Sequence, residues 1–385
     1  MREYHSKAIR NVAILGHLGS GKTSLTESLL FLSGAIDKKG EVEKKNTVSD
    51  YTVEEQTRQT SLQSSLIPVE WNGHKINFFD VPGSEEMIGE VENVLSVVKG
   101  AVLVIDAGAG VEPGTERAWE ELRKHNIPTL IFINKMDKEN IKYEELIEEL
   151  KEKFGKRVAP FAYPLGKLDK FDGFALVAEG KARLYRDGVS VDGEIYEDKK
   201  EKVQELYDWM CEAVAETSEE MMEKYFAGEP LELEEVKVGL RKSVLAGEVY
   251  PVLCGAAIKN IGIQTLLNMI IDYNPCPDDL KPKVGHVPNS EEEVLKSTKD
   301  SEPLAAYVFK TIVDPFLGSI NLFKIFSGSI ATADSPTEVP VFTSNSLSSP
   351  APKRTVFTFP DLGRITTMSK QSSETVPSFL SGRTA

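Results

Sequence analysis

Apolar residues occur along this chain in short continuous runs, each followed by a longer stretch in which they recur at helical spacing. Such runs end at Leu15, Ala107 and Ile133, and the one before Ala107 is rich in Val and Ile. Continuous β-branched runs are typical of strands that are buried on both faces of a parallel sheet. The alternation therefore predicts an α/β fold in three layers, with a mainly parallel sheet.

The same pattern places the individual elements. It predicts strands over residues 11–15, 66–71, 75–81, 101–107, 129–133 and 250–253, and helices over 23–33, 85–98, 113–125, 139–154 and 262–273. Asn72-Gly73 separates two of these strands, which is the strongest short signal for a hairpin. Residues 37–60 are polar and lack a clean period, so we expect a loop that a ligand can order.

The distance between the helix predicted over 139–154 and the strand predicted over 250–253 indicates an insertion. Residues 137 to 254 contain far more chain than one further βα unit requires. Strand-like patterns lie over 158–166 and 174–184, and acidic helical patterns over 201–226 and 234–245. We therefore predict a domain over 8–275 with an inserted α+β subdomain over 158–248.

Composition and charge do not change the predicted fold, but they limit the partners and the compartment. The net charge of −15 argues against broad electrostatic binding to nucleic acid and against sequence-specific DNA binding, but it leaves docking on a ribonucleoprotein possible. Three cysteines without metal-ligand spacing indicate reduced thiols. A polar N-terminus and the lack of any run near ~20 apolar residues predict a cytoplasmic protein without membrane contact.

The first candidate for chemistry is the glycine-rich stretch after the first strand, which fits GxxxxGK[ST] and leads into a helix. Its residues are Gly16, His17, Leu18, Gly19, Ser20, Gly21, Lys22 and Thr23. In that context the pattern predicts a phosphate loop, whose backbone N–H groups and following helix attract an anion. Lys22 would reach the β- and γ-phosphates, and the Thr23 hydroxyl would bind Mg²⁺. The alternative is an ordinary glycine-rich turn between a strand and a helix.

A second motif ends a later strand. It consists of Asp80, Val81, Pro82 and Gly83, a DxxG. At a strand end an acidic residue can hold Mg²⁺ and the glycine can give its N–H to the γ-phosphate. Alone, DxxG is more often a turn, but its place after the phosphate loop favours the nucleotide interpretation.

The base is predicted by the NKxD motif after the strand 129–133. It consists of Asn134, Lys135, Met136 and Asp137. The Asp137 carboxylate can accept two N–H groups of guanine, whereas adenine presents an unprotonated ring nitrogen there. The alternative is a surface turn before a charged helix. A small-residue turn, Cys254-Gly255-Ala256-Ala257, follows a later strand and suits backbone recognition of the guanine carbonyl, and its residues Cys254, Gly255 and Ala256 are assigned to the site.

Taken together, the motifs resemble a translational GTPase, and elongation factor G more closely than its tRNA-carrying relatives. Further stretches carry this resemblance across roughly residues 8 to 329: Gly89-Glu90-Val91-Glu92, Asp106, Gly110-Val111-Glu112-Pro113, Pro251 to Gly255, Asp314 to Gly318 and Phe326-Ser327-Gly328. The family carries an extra subdomain where this chain has its insertion. The resemblance implies GTP and Mg²⁺ binding, docking at the ribosomal factor-binding site, and hydrolysis coupled to movement of tRNA and mRNA.

Three positions depart from the family pattern. Gly19 replaces an aspartate of the phosphate loop, and Ser61 replaces the threonine that meets Mg²⁺ and the γ-phosphate, with Thr60 a shifted alternative. Ser84 replaces the histidine that positions the attacking water. The resemblance therefore puts Lys22 and Ser84 at the catalytic positions, with Thr23, Ser61 and Asp80 around the metal. We expect tight GTP binding, and hydrolysis that is slow or dependent on the ribosome.

The C-terminal part is predicted from composition and resemblance. Residues 276–302, rich in Pro, Asp, Glu and Lys, are expected to form a linker, and 303–385 the start of a β-barrel second domain. From 330 to 385 the pattern is atypical, because Ser and Thr make up 20 of the 57 residues from Ser329 onwards. One interpretation is a disordered divergent tail. The other, which we favour, is a disrupted reading frame, so that the later domains of the family would be absent from this chain.

Overall fold

The computed structural model describes residues 4–166, 171–186, 189–286, 293–299, 301–314, 318–328 and 365–369. The chain divides into two compact units: Val12–Trp71 with Phe78–Asn274, and Met1–Asn11 with Asn72–Asn77 and Pro275–Ala385. Among the helices of the described residues, none combines the length and the apolar character that crossing a membrane requires.

The strands follow one another as β1 (Ile9–Leu15), β2 (Ser65–Trp71), β3 (His74–Asp80), β4 (Gly100–Asp106), β5 (Thr129–Asn134), β6 (Val158–Pro160), β7 (Ala162–Leu165), β8 (Gly173–Leu176), β9 (Lys181–Arg186), β10 (Val189–Gly193), β11 (Tyr250–Cys254), β12 (Lys283–His286), β13 (Glu293–Lys296), β14 (Ala305–Asp314), β15 (Gly318–Ser327) and β16 (Ile365–Ser369). The helices are α1 (Lys22–Leu32), α2 (Val53–Arg58), α3 (Ile88–Val97), α4 (Pro113–Lys124), α5 (Tyr143–Phe154), α6 (Glu197–Ala215), α7 (Glu219–Phe226), α8 (Leu233–Ala246) and α9 (Ile263–Tyr273).

A seven-stranded sheet in the order β2-β3-β1-β4-β5-β11-β6 forms the centre of the fold. The pairs β1–β4, β4–β5, β5–β11 and β11–β6 are parallel. Residues of β5 are all buried, as the continuous apolar run requires of a strand covered on both faces. The predicted α/β class with a mainly parallel sheet is confirmed.

Helix α4 shows how the sequence pattern sets the packing beside this sheet. Pro113 occupies the first helical turn, where its missing N–H costs nothing. The buried residues of the helix recur every three or four positions and are Thr115, Ala118, Trp119 and Leu122. Leu122 is completely buried, so this face is anchored in the core while Glu and Lys side chains cover the other.

The insertion contains a four-stranded sheet in the order β10-β9-β8-β7, together with α6, α7 and α8. The prediction of a single strand over 158–166 is wrong. Val158–Pro160 pairs with β11 in the central sheet, whereas Ala162–Leu165 pairs with β8 in the inserted one. The run is apolar throughout, so the change of sheet at Phe161 leaves no mark in the hydrophobic pattern.

Two further predicted elements of the insertion are wrong because a turn interrupts each. The strand predicted over 174–184 is the hairpin β8–β9, which turns at Gly180 with φ 63°. The helix predicted over 201–226 is broken between α6 and α7, where the Ser218 hydroxyl accepts a hydrogen bond from Met221 N–H at 3.3 Å. An N-cap of this kind begins a new helix.

The smaller unit contains two antiparallel sheets. β12 pairs with β13, so the predicted linker over 276–302 includes a strand pair. β14, β15 and β16 form a three-stranded sheet with a register shift between Val308 and Lys310. Small antiparallel sheets here agree with the start of a barrel. Of the predicted tail, 365–369 forms β16, and the other residues from 330 onwards lie outside the described residues.

Candidate functional site

The phosphate loop connects β1 to α1 and owes its shape to glycine. Gly21 has φ 93°, a left-handed conformation that side chains rarely adopt, and it forms the N-cap of α1. A Cβ atom at this position would collide with Nδ2 of Asn134. The Gly-Lys step therefore lets the NKMD motif approach the loop at the start of the helix.

Lys22 lies inside the loop rather than in solvent. Its Nζ donates hydrogen bonds to the carbonyl oxygens of Gly16 at 3.0 Å and His17 at 2.9 Å. Burial lowers the pKa of Lys22 to about 8, while the carboxylates of Asp80 and Asp50 act in the opposite direction. The ammonium is thus held at the point where the loop and two acidic groups meet.

A cluster of hydroxyls and carboxylates lies next to Lys22. Ser61 Oγ donates to Asp50 Oδ1 at 2.7 Å, and Thr23 Oγ1 lies 3.3 Å from Ser61 Oγ. The hydroxyl brought to Thr23 is therefore that of Ser61. Asp50 was not among the predicted site residues, because the polar segment around it has no period that would reveal a buried carboxylate.

Asp80 completes this cluster. It is 1% exposed, and neither carboxylate oxygen has a hydrogen-bond partner within the described residues, although Ser49 and Thr23 are close enough to lower its pKa slightly. Burial, followed by the charge of Asp50, raises the pKa of Asp80 to about 6. A buried carboxylate without a partner is costly, and a cation would remove the cost.

The DVPG turn packs against the phosphate loop. A Cβ atom on Gly83 would lie 2.8 Å from both Gly16 O and Leu18 N, so only glycine fits this approach. Val81 N–H donates to Ile14 O at 3.3 Å, and Val81 and Pro82 are buried. The two motifs that the sequence separates by some sixty residues are in direct contact.

Ser84 follows this turn in an extended conformation, φ −81° and ψ 143°, before a short 3₁₀ turn, Glu85–Met87. Its side chain does not cap that turn. The imidazole of His17 faces α4 instead, because Nδ1 accepts a hydrogen bond from Gly114 N–H at 3.2 Å and Nε2 lies 3.4 Å from Glu112. His17 therefore does not occupy the position after the PG dipeptide.

Asn134 joins the phosphate loop to the loop that follows β11. Its Nδ2 donates to Ser20 O at 3.0 Å, and its Oδ1 accepts the Ala257 N–H at 3.0 Å. The N–H of Ala256 is used within its own loop, by Ile261 O at 3.0 Å. The predicted small-residue turn extends from Cys254 to Ala257, but the site residues assigned from it end at Ala256, because the small-residue pattern alone does not single out the Ala257 N–H.

Lys135 adds a second link to the phosphate loop. Its Nζ donates to Gly19 O and to Asp106 Oδ2, each at 2.6 Å. Burial would raise the pKa of Asp106, but the hydrogen bonds from Lys135 and Gly108 and the lysine charge outweigh it and lower that pKa. Asp106 therefore remains charged and fixes the lysine that supports the loop.

The last residues of the NKMD motif face the loop after β11. Met136 is buried, and its N–H donates to Gly255 O at 3.0 Å. The Asp137 carboxylate lies 3.3 Å from Lys259 Nζ. Cys254 is buried beneath, and burial raises the pKa of its thiol, so it is an unreactive packing residue.

The polar segment, residues 37–60, is more ordered than its composition suggested. It contains α2, which begins with a capping box formed by Thr52 and Glu55. Glu55 Oε1 also accepts the N–H groups of Leu62 at 3.0 Å and Gln63 at 3.1 Å, directly after Ser61. Glu27 of α1 holds the beginning of the segment by accepting Gly40 N–H at 2.8 Å.

Comparison with known proteins identifies the family. The model of the elongation factor Tu GTP binding domain matches residues 7–276. The chain belongs to this family. It is thus a translational GTPase in the broad sense, with a domain of the kind that binds and hydrolyses GTP.

A solved structure extends the similarity beyond that domain. The crystal structure of ttk003000868 from Thermus thermophilus is 28% identical and superposes with a TM-score of 0.79. The match covers 98% of this chain and 56% of the other, so this chain spans little more than half the length of that protein.

Proposed function

We propose that this chain binds GTP with Mg²⁺, hydrolyses it slowly or with help from the ribosome, and serves translation elongation in the manner of elongation factor G. The side-chain amide of Asn134 carries the proposal. This amide joins two loops of the domain. It donates to Ser20 O of the phosphate loop and accepts the Ala257 N–H of the loop after β11. Both ends of one nucleotide would therefore be held by connected loops.

The residues around Asp80 fit a magnesium ion. Its buried carboxylate has no hydrogen-bond partner among the described residues, the Thr23 hydroxyl is close to it, and the Ser61 hydroxyl lies 3.3 Å from that of Thr23. Hard oxygen donors of this kind suit Mg²⁺, which would neutralise charge on the phosphate oxygens when bound. Thr23, Ser61 and Asp80 would hold this ion.

The remaining roles follow from position. Lys22 would neutralise the β- and γ-phosphates, and the Gly83 N–H would meet the γ-phosphate because this glycine already packs on the loop. Asn134 and Asp137 would hold the guanine, with Lys135 supporting the loop beneath it. Loss of the γ-phosphate would release the loops around Ser61 and Gly83, which makes the chain a switch.

Ser84 favours a second function, a ribosome-associated switch that hydrolyses GTP poorly and does not drive translocation. Serine is shorter than histidine and cannot carry the charge of an imidazole. His17 does not substitute for it, since its ring contacts Gly114 and Glu112. The two functions share nucleotide and partner, and they differ in whether the ribosome stimulates hydrolysis and whether hydrolysis drives translocation.

Two binding experiments test the nucleotide and the ribosomal partner. Fluorescent mant-GTP and mant-ATP are titrated against the 385-residue chain, and the chain is then sedimented with ribosomes in the presence of a non-hydrolysable GTP analogue or GDP. We expect guanine preference, and co-sedimentation that depends on the GTP analogue. Equal affinity for both nucleotides would refute the base site, and sedimentation independent of nucleotide would refute the ribosomal switch.

A further inference from the structure

A pocket opens beside Ser84, on the side of the DVPG turn that faces α4. Gly16, Gly83, Ser84, Glu85 and Arg117 contribute to its lining. Gly83 packs against the phosphate loop near Lys22, so one end of this pocket adjoins the place where the proposed function puts the terminal phosphate. The position that lacks a histidine is therefore bordered by two charged side chains.

Those two side chains form an ion pair. Arg117 Nη2 of α4 lies 3.0 Å from Glu85 Oε1, the residue directly after Ser84. The side chains are 42% and 54% exposed, and pairs this exposed add little to the stability of a fold. A contribution to the stability of the fold therefore does not explain why this ion pair lies at the pocket.

The pairing changes what Glu85 can do. A lone carboxylate facing a γ-phosphate is repelled by it, which argues against a role for Glu85 in hydrolysis. With Arg117 at 3.0 Å the charge of Glu85 is compensated, while its oxygens can still accept a hydrogen bond. Glu121, another carboxylate that lines the pocket, is paired with Lys124 at 3.1 Å.

We propose that Glu85 and Arg117 act as one unit in GTP hydrolysis and take over part of the role of the missing histidine. Glu85 orients the attacking water by accepting a hydrogen bond from it, and Arg117 compensates the charge of Glu85 and of the transferring phosphoryl group. The water oxygen forms the new bond to the γ-phosphorus as the bond to the β–γ bridging oxygen breaks. GDP leaves, and both water protons end on the inorganic phosphate. This inference rests on the proposed function.

Three variants test the unit: Glu85→Gln, Arg117→Gln and the double variant. The matched control is the pair of Lys124 with Glu92, at 3.8 Å, which connects α3 to α4 and does not border Ser84. Single-turnover GTP hydrolysis is measured with ribosomes, and mant-GTP affinity is measured separately. We expect each single variant to lower the hydrolysis rate about 100-fold, short of the full effect of an arginine finger. Affinity should change less than about threefold.

Non-additivity and a transition-state analogue provide the other readouts. The double variant should be no slower than either single one, because the two residues act together. Binding of mant-GDP with aluminium fluoride should be lost in Arg117→Gln and kept in Glu92→Gln, whereas binding of mant-GDP alone should be unchanged. The exchanged pair Glu85→Arg with Arg117→Glu should restore the ion pair but not the rate.

The outcomes distinguish a failure of this inference from a failure of the proposed function on which it rests. If the wild-type chain fails to bind mant-GTP, the proposed function itself is wrong. If it binds GTP and the Glu85 and Arg117 variants hydrolyse at the wild-type rate, or no more slowly than Glu92→Gln, the inference alone is wrong. Rescue of the rate by the exchanged pair would also refute it, because that result indicates a merely structural ion pair.

Discussion

The ammonium of Lys259 lies 3.3 Å from the carboxylate of Asp137. The acidic residue of the NKMD motif is thus paired with a lysine from the loop after β11, and it does not point away as it would in a surface turn. In the proposed base site, this position would let the carboxylate present its oxygens to guanine.

Asp137→Asn should move the preference of the site from guanine towards xanthine. The amide keeps one acceptor but replaces the other with a donor, which matches the carbonyl at position 2 of xanthine. We expect GTP affinity to fall by about 100-fold or more, since a polar site rejects a mismatched base strongly. Competition between mant-GTP and XTP measures this, with Lys259→Met as the control. Unchanged GTP affinity in Asp137→Asn would contradict the base assignment.

Lys22→Met should weaken binding of the triphosphate. The buried ammonium is held by the carbonyls of Gly16 and His17, so its charge is prepositioned for phosphate. A charged hydrogen bond contributes roughly 1.5–3 kcal/mol, which corresponds to about a 10- to 100-fold loss of GTP affinity. Isothermal titration calorimetry tests this, and a loss of less than about threefold would remove Lys22 from the phosphate site.

Asp80→Asn should stabilise the nucleotide-free protein at neutral pH. Because the pKa of Asp80 is raised to about 6 when folded, folding binds a proton between that value and the lower pKa of the unfolded chain. The cost to stability is therefore absent below about pH 4 and grows as pH rises through about 6. At pH 7.5 we expect a gain of up to about 3 kcal/mol in unfolding free energy.

Thermal melting at pH 4.5 and pH 7.5 tests this dependence on Asp80, with the exposed Asp208→Asn as the control. The difference between Asp80→Asn and wild type should shrink at the lower pH, and Mg²⁺ with GTP should stabilise the variant less than the wild type. If the stability of Asp80→Asn relative to the wild type increased as the pH fell, the raised pKa of Asp80 would be contradicted.

Ser84→His should raise ribosome-stimulated hydrolysis without changing GTP affinity. The imidazole would return a water-orienting group to the extended residue after Gly83, where the backbone already has φ −81°. We expect a gain of about 10-fold or more in the single-turnover rate, as general catalysis by a positioned side chain contributes ~10²- to 10⁴-fold. Ser84→Ala serves as the control for the loss of the hydroxyl.

Much of this site could be predicted because each motif lies at the end of a strand with a clear apolar pattern. The parallel sheet brings those ends to one edge, so the phosphate loop contacts both Gly83 and Asn134 although they are far apart in the chain. Asp50 could not be predicted in the same way, and the sequence pattern places Ala257 in a small-residue turn without singling it out as a contact. Asp50 is buried by tertiary contacts within a polar segment, and Ala257 is distinguished only by its backbone N–H.

The wrongly predicted elements of the inserted subdomain also reflect tertiary contacts that the sequence pattern does not show. A continuous apolar run hides a turn whenever both sides of the turn are buried, as at Phe161 between β6 and β7. The break before Ser218 is hidden in a different way, because polar residues on an acidic helix also serve as caps. Periodicity reports burial, and it does not report which sheet or helix does the burying.

Single-turnover GTP hydrolysis by the wild-type chain, with and without ribosomes, tests the central claim most directly. We expect GTP binding with a hydrolysis rate well below that of elongation factor G measured alongside, and stimulation by ribosomes. Turnover as fast as that of elongation factor G would contradict it, because Ser84 would then be no obstacle to hydrolysis.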